Sequence, residues 1–228
     1  MFFYYDPTYI LVLPALIFAV WAQTKVSSTF RKYLRVFASS NYTGAQVARY
    51  LLDANGLHEV RIEMARGTLT DHYDPRTRVL RLSKQVYESS SVAALGVAAH
   101  ETGHAVQHAQ NYIPLGIRNN LWPVANFGSQ AAFPLFFIGL FFGIPTLTTV
   151  GIWFFIAALA FQVVTLPVEF NASRRALSML TEGGFITQSE RSKAKEVLSA
   201  AALTYVAAVA VSAMQLLRLV LLRNARER

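Results

Sequence analysis

The chain has no cysteine, which excludes disulfides, thiolate metal ligands and a cysteine nucleophile. That absence says little about compartment, since a domain facing the cytoplasm needs no cysteine. Acid is scarce and unevenly placed. Thirteen Asp and Glu stand against 21 Lys and Arg, and no aspartate follows Asp74. Histidine is rarer still, with five residues and none beyond His108. Few groups in the second half of the chain could therefore hold a metal. Charge is missing altogether from four apolar runs: Thr8–Ala22, Val124–Gly143, Leu147–Leu166 and Val197–Leu217 contain no Asp, Glu, Lys or Arg.

What is abundant is apolar surface, with 54% of the 228 residues hydrophobic. A bilayer core takes about 20 apolar residues of helix, and the last three runs approach or exceed that length. A buried core helix accounts for one such run, but not for four in a chain of this size. The first run is shorter, with aromatics before it and Trp21 at its end, as a membrane interface favours. A signal peptide is excluded because its flank, MFFYYDP, lacks the required basic residues. Lys25, Arg31, Lys32 and Arg35 follow the run instead, which suits an uncleaved anchor with its N-terminus outside. Arg118, Arg174, Arg175, Arg191, Lys193 and Lys195 then fall on the cytoplasmic side together with His100. Arg218, Arg223, Arg226 and Arg228 would lie outside if the fourth run crosses. The expected setting is the plasma membrane, multi-pass, with the active site on the cytoplasmic side. The net charge of +8 sits at membrane flanks, so anionic lipid headgroups are the expected partner and nucleic acid is not.

The expected fold is mostly α and integral to the membrane, with about four transmembrane helices and a small α+β lobe. Residues 1–24 form an N-terminal anchor, 25–120 the lobe, and 121–167 two transmembrane helices. Residues 168–196 carry a further ligand, and 197–228 form a last transmembrane helix with a basic tail. Within the lobe, Thr43 and Gln46 predict a capping box opening a helix with Val47, Ala48, Leu51 and Leu52 on one face. Asn55-Gly56 closes it. Val60, Ile62 and Met64 alternate with Arg61 and Glu63 as a half-buried strand does, and Arg78–Ser83 reads as a second strand. Asp74-Pro75-Arg76 marks a turn between them. Ser89, Ser90 and Ser91 offer caps for a helix running into His100. Pro134 is expected to bend the second apolar helix.

His100-Glu101-Thr102-Gly103-His104 is the pattern with the most chemical content. Histidines four apart on a helix share a face, so both imidazoles reach one Zn²⁺ at about 2.0–2.1 Å, with Glu101 placed as a base. A catalytic zinc takes three protein ligands and keeps a position open. His108 cannot be the third. It lies about 12 Å from position 100 along a straight helix, whereas nitrogens on one ion stand only about 3–4 Å apart. Gln107 and Gln110 occupy the positions where a metzincin needs Gly and His, and no later aspartate exists for a site-2-type protease. The remaining acids are Glu169, Glu182, Glu190, Glu196 and Glu227. Glu169 follows Pro167, a favourable helix opener, at the exit of an apolar run. A carboxylate placed there beside apolar residues is costly unless a metal compensates it. His100, His104 and Glu169 are thus the expected ligands, a gluzincin arrangement.

The stretches LTDHYDPRTRVLRL, ALGVAAHETGHAVQ and LPVEFNASRRA together resemble the YugP-like neutral zinc metallopeptidases of bacterial membranes. The likeness covers nearly the whole chain. More distantly, the chain is similar to the HtpX-like membrane gluzincins, whose ligand Glu is followed by Ala-Asp. Here Ser173 stands in place of that Asp, leaving Ser173 and Asn171 as alternatives for the bond to a ligand histidine. The resemblance implies a zincin-like lobe and a membrane-embedded, zinc-dependent endopeptidase acting on membrane or membrane-proximal proteins. A peptide is expected to add as a strand along Arg78–Ser83. His72, Tyr73 and Arg174 are candidate oxyanion donors. The rival reading is a non-catalytic membrane scaffold or transporter component with a structural metal site.

Overall fold

A computed structural model describes residues 7–226. Residues 1–6, with the aromatics expected at the membrane interface, and the tail residues Glu227 and Arg228 lie outside the described residues. The elements run α1 (Leu13–Leu34), α2 (Gly44–Ala54), β1 (Arg61–Ala65), β2 (His72–Asp74), β3 (Val79–Ser83), α3 (Lys84–Glu88), α4 (Val92–Ala109), α5 (Ile113–Phe142), α6 (Pro145–Glu182) and α7 (Gln188–Arg226), after a 3₁₀ turn at Pro7–Leu11. The protein is mostly helical with one small sheet. Its chain divides into two compact units, one of Met1–Gln23, Ile117–Leu166 and Thr204–Arg228, the other of Thr24–Gly116 and Pro167–Leu203.

In the first unit Ala132, Phe136, Ile152, Phe155 and Leu219 form a buried cluster. A Cβ on Gly151 would meet the Ala132 carbonyl oxygen at 2.8 Å, so a residue without a side chain lets α5 and α6 pack backbone to backbone. Among the described residues three helices, α5, α6 and α7, are long and apolar enough to cross a membrane. The N-terminal run does not make a fourth of that kind. It is divided between the 3₁₀ turn and α1, and α1 already carries Lys25 in its second half. α5 continues unbroken through Pro123 and Pro134. The tail arginines Arg218 and Arg223 lie within α7. Arg218 is buried with its guanidinium 3.6 Å from the centre of the Tyr9 ring, a geometry in which the aromatic face partly replaces water.

The second unit is built around α4. The Thr43 capping box holds α2, with Thr43 Oγ1 accepting from the Gln46 N–H at 3.3 Å and Gln46 Oε1 from the Thr43 N–H at 2.9 Å. Val47, Ala48, Leu51 and Leu52 are buried as their spacing predicts. Gly56 at φ +73° ends the helix, a left-handed conformation cheap only for glycine. Ser91 caps α4 by accepting from the Ala94 N–H at 3.2 Å. The first turns of α4 are so enclosed that Val92 to Leu95, Ala98 and Ala99 are fully buried.

Three strand expectations need correction. The sheet order is β1-β3-β2, with β1 parallel and β2 antiparallel to β3. β3 is therefore paired on both sides, and no peptide can add along Arg78–Ser83. The third strand, β2, occupies part of the stretch read as a turn. On β1, Met64 is exposed where alternation predicts burial, while Val60 is buried just before the strand. Pro167 is also not a helix opener, because it lies inside α6. An internal proline costs about 3 kcal/mol, yet Val168, Ala172 and Ala176 on the following turns are fully buried in the second unit, which favours continuing the helix. Glu190, at the start of α7, accepts from the Thr187 N–H at 2.7 Å and from the Ser39 N–H at 2.8 Å. It both caps that helix and fastens the chain before α2.

Candidate metal centre

The site lies wholly within the second unit, where α4 meets the C-terminal half of α6. The i,i+4 spacing puts the His100 and His104 rings edge to face with centroids 4.8 Å apart. From α6, Glu169 extends Oε2 to 3.3 Å from His100 Nε2 and 3.6 Å from His104 Nε2. The three donor atoms lie within 4.8 Å of one another. Glu169 is only 3% exposed, and a carboxylate so buried requires compensating partners. Two imidazoles supply them. Gly103 is what permits this approach, because a Cβ there would lie 2.9 Å from the Ala172 carbonyl oxygen.

Each ring is held from behind. Ser173 Oγ lies 3.1 Å from His100 Nδ1, so of the two alternatives it is Ser173 that takes the place of the missing Asp. His104 Nδ1 is met at 3.0 Å by Oε1 of Gln107, a fully buried side chain. Gln107 donates through Nε2 to the Val168 carbonyl at 2.8 Å and to Asn171 Oδ1 at 2.9 Å. Arg175 Nε donates to the same Asn171 oxygen at 2.7 Å, and its Nη1 donates to Gln110 Oε1, also at 2.7 Å. Both Nε2 atoms thus face Glu169. Two nitrogens and one carboxylate oxygen, oriented and converging, fit a zinc ion with a position left open.

Glu101 is 8% exposed, lies beside the trio on α4, and acts electrostatically on His104. Among the described residues its carboxylate has no hydrogen-bond partner, which leaves it able to accept one from a bound molecule. The other candidates are placed elsewhere. His108 Nδ1 pairs with the Tyr73 hydroxyl at 3.0 Å, as a polar residue at a helix end. His72 Nδ1 bonds the Thr70 carbonyl at 2.8 Å, and Arg174 is exposed. Gln107, Asn171 and Arg175 escaped identification as a connected set. Their spacing on α6 (171, 175) and one turn beyond His104 (107) was the available signal.

With this geometry, comparison with known proteins is decisive. A family model described as "Putative neutral zinc metallopeptidase" matches residues 8–224. The chain belongs to this neutral zinc metallopeptidase family. It is also similar to "Putative membrane protease YugP" of Bacillus subtilis (strain 168), at 52% identity over 212 residues that cover 93% of this chain and 94% of that protein. No solved structure matches. The family is the one indicated by the three sequence stretches.

Burial depresses the His104 imidazole, but the hydrogen bond and charge of Glu169 outweigh it and hold its pKa above the usual histidine value. A metal binds only the deprotonated ring and must displace that proton. Zinc affinity is therefore expected to rise with pH across the neutral range, on the order of tenfold between pH 6 and 8. Competition titrations at the two pH values measure it, and a pH-independent affinity would contradict the pairing of His104 with Glu169.

Proposed function

We propose that this protein is a multi-pass, membrane-embedded, zinc-dependent endopeptidase in which His100, His104 and Glu169 hold the metal and Glu101 is the general base. The observation that carries this reading is the convergence of a 3%-exposed Glu169 on both motif histidines, at 3.3 and 3.6 Å. Three donors suit a catalytic site, whereas a structural zinc takes four; the cluster among the described residues has three. Zinc, when bound, polarises a carbonyl and lowers the pKa of water towards about 7. Glu101 then accepts a proton from the attacking water and delivers it to the departing amine, so that the carboxylate is regenerated.

A peptide backbone would pair with the outer edge of β2 rather than with β3. Tyr73 of β2 touches His108 of α4, so that edge runs beside the motif helix, and main-chain bonding there demands no particular sequence. The apolar helices favour membrane or membrane-proximal proteins as substrates. α5, α6 and α7 would span the bilayer. Lys25, Arg31, Lys32, Arg35, Arg174, Arg175, Arg191, Lys193 and Lys195 fall in the same unit as His100, and the preference of basic flanks for the cytoplasm supports a site on that side of the plasma membrane, with anionic lipids as partners.

The test is zinc stoichiometry of the purified full chain after reconstitution. Wild type should hold one zinc per chain. Glu169→Ala should bind more than about 100-fold more weakly, beyond what even an orienting partner of a ligand costs. A wild type that takes up no zinc, or a Glu169→Ala variant that binds as tightly, would overturn the assignment.

A further inference from the structure

The two ligand histidines are oriented by chemically different partners, and only one of those partners has a fixed polarity. Ser173 faces His100 with a hydroxyl, which can donate or accept. His104 faces an amide whose orientation is determined by the residues behind it. Arg175 has only donors, so the Asn171 atom 2.7 Å from its Nε must be the amide oxygen. That oxygen also accepts from Gln107, and the Val168 carbonyl accepts from the same Gln107 nitrogen. Turning the Gln107 amide over would set oxygen against two oxygens. Its Oε1 therefore faces His104, Nδ1 of the neutral ring carries the proton, and the Nε2 lone pair is left towards Glu169.

We propose that Arg175, through Asn171 and Gln107, is a positioning residue that fixes the metal-binding tautomer of His104. The proposal rests on His104 being a zinc ligand, as argued above. Without Arg175 the Asn171 amide is free to turn and offer its NH₂ group. A reversed Gln107 would then be opposed only by the Val168 carbonyl, and the ring could place a proton on the nitrogen the metal needs. Arg175 is itself held in place by its second bond, to Gln110 at the end of α4. The relay thus joins the two ligand helices as well as setting a proton.

Zinc affinity of the detergent-solubilised full chain, measured by competition with a chromophoric chelator, tests this without recourse to activity. Arg175→Met and Asn171→Leu are each expected to weaken binding about tenfold, within the 10- to 100-fold range for partners of ligand histidines. Asn171→Asp keeps an acceptor for both Arg175 and Gln107 and should bind close to wild type. The Asn171→Leu/Arg175→Met double variant should be no weaker than either single one, because all break the same chain. General packing damage would instead impair Asn171→Asp too, or add in the double variant. Wild-type affinity in Arg175→Met, or a loss in Asn171→Asp matching that in Asn171→Leu, overturns the relay. If wild type binds zinc and Glu169→Ala does not, that failure belongs to the relay alone; if wild type binds none, the peptidase reading falls and the relay with it.

Discussion

Glu101→Gln is expected to retain one zinc per chain while peptide hydrolysis falls by about 10²- to 10⁴-fold, the usual contribution of a positioned general base. Glutamine has nearly the same shape but cannot take a proton from water. Glu101 has no hydrogen-bond partner among the described residues and is not one of the three clustered donors, so the substitution breaks no hydrogen bond and removes no donor from the cluster. Cleavage of an unfolded protein substrate, normalised to zinc content, separates the outcomes. Undiminished hydrolysis would remove Glu101 from the mechanism, and loss of zinc would make it a ligand. A drop in rate at constant zinc also distinguishes an enzyme from a scaffold, since a scaffold has no rate to lose.

Gly103→Ala is expected to be far more damaging than its single methyl group suggests. The new Cβ would lie 2.9 Å from the Ala172 carbonyl oxygen and 3.3 Å from its Cα. Both are backbone atoms that cannot rotate aside. α4 and α6 must separate at the point where one carries His100 and His104 and the other Glu169. Overpacking of this kind costs on the order of 1–3 kcal/mol, and the displaced ligands add a loss of zinc affinity. Gly96→Ala on the same helix is the control. Its Cβ meets nothing nearer than Ala194 Cβ at 3.9 Å, and replacing a helical glycine stabilises by up to about 1 kcal/mol. Thermal unfolding with and without zinc should move the two variants in opposite directions. Equal zinc binding by both would mean that close helix approach does not set the ligand geometry.

The contrast between those glycines shows what can be read from residues alone. Local signals were legible: the Thr43 capping box, the Ser91 cap and the buried face of α2 are set by neighbours within a turn. Glu169 could be singled out because the chain has few other acids or histidines to choose from, and the structure brings it to both motif histidines. β2 was not legible, since three residues show no alternation and His72-Tyr73-Asp74 carries the composition of a turn. β3 was recognised as a strand, but its central position depends on pairing with residues about 18 positions away on β1, which no local pattern records. The continuity of α6 through Pro167 was missed because proline's local preference was outweighed by burial of the turns that follow. Gln107 was noticed only for the ligand it is not. Its use depends on Asn171 and Arg175, which reach it through tertiary packing.

The second unit is discontinuous in sequence, with residues 117–166 falling between the motif helix and Glu169. Translation therefore produces the proposed ligands in two instalments. A nascent chain extended to Gly116 has both histidines and the base, yet lacks the carboxylate and every residue of α6 that orients the rings. Two apolar stretches must emerge before the third ligand is made. On the proposed function, the order of synthesis then acts as a safeguard: the peptidase cannot hold its metal properly, or cut neighbouring chains, until the two apolar stretches that precede Glu169 have been made.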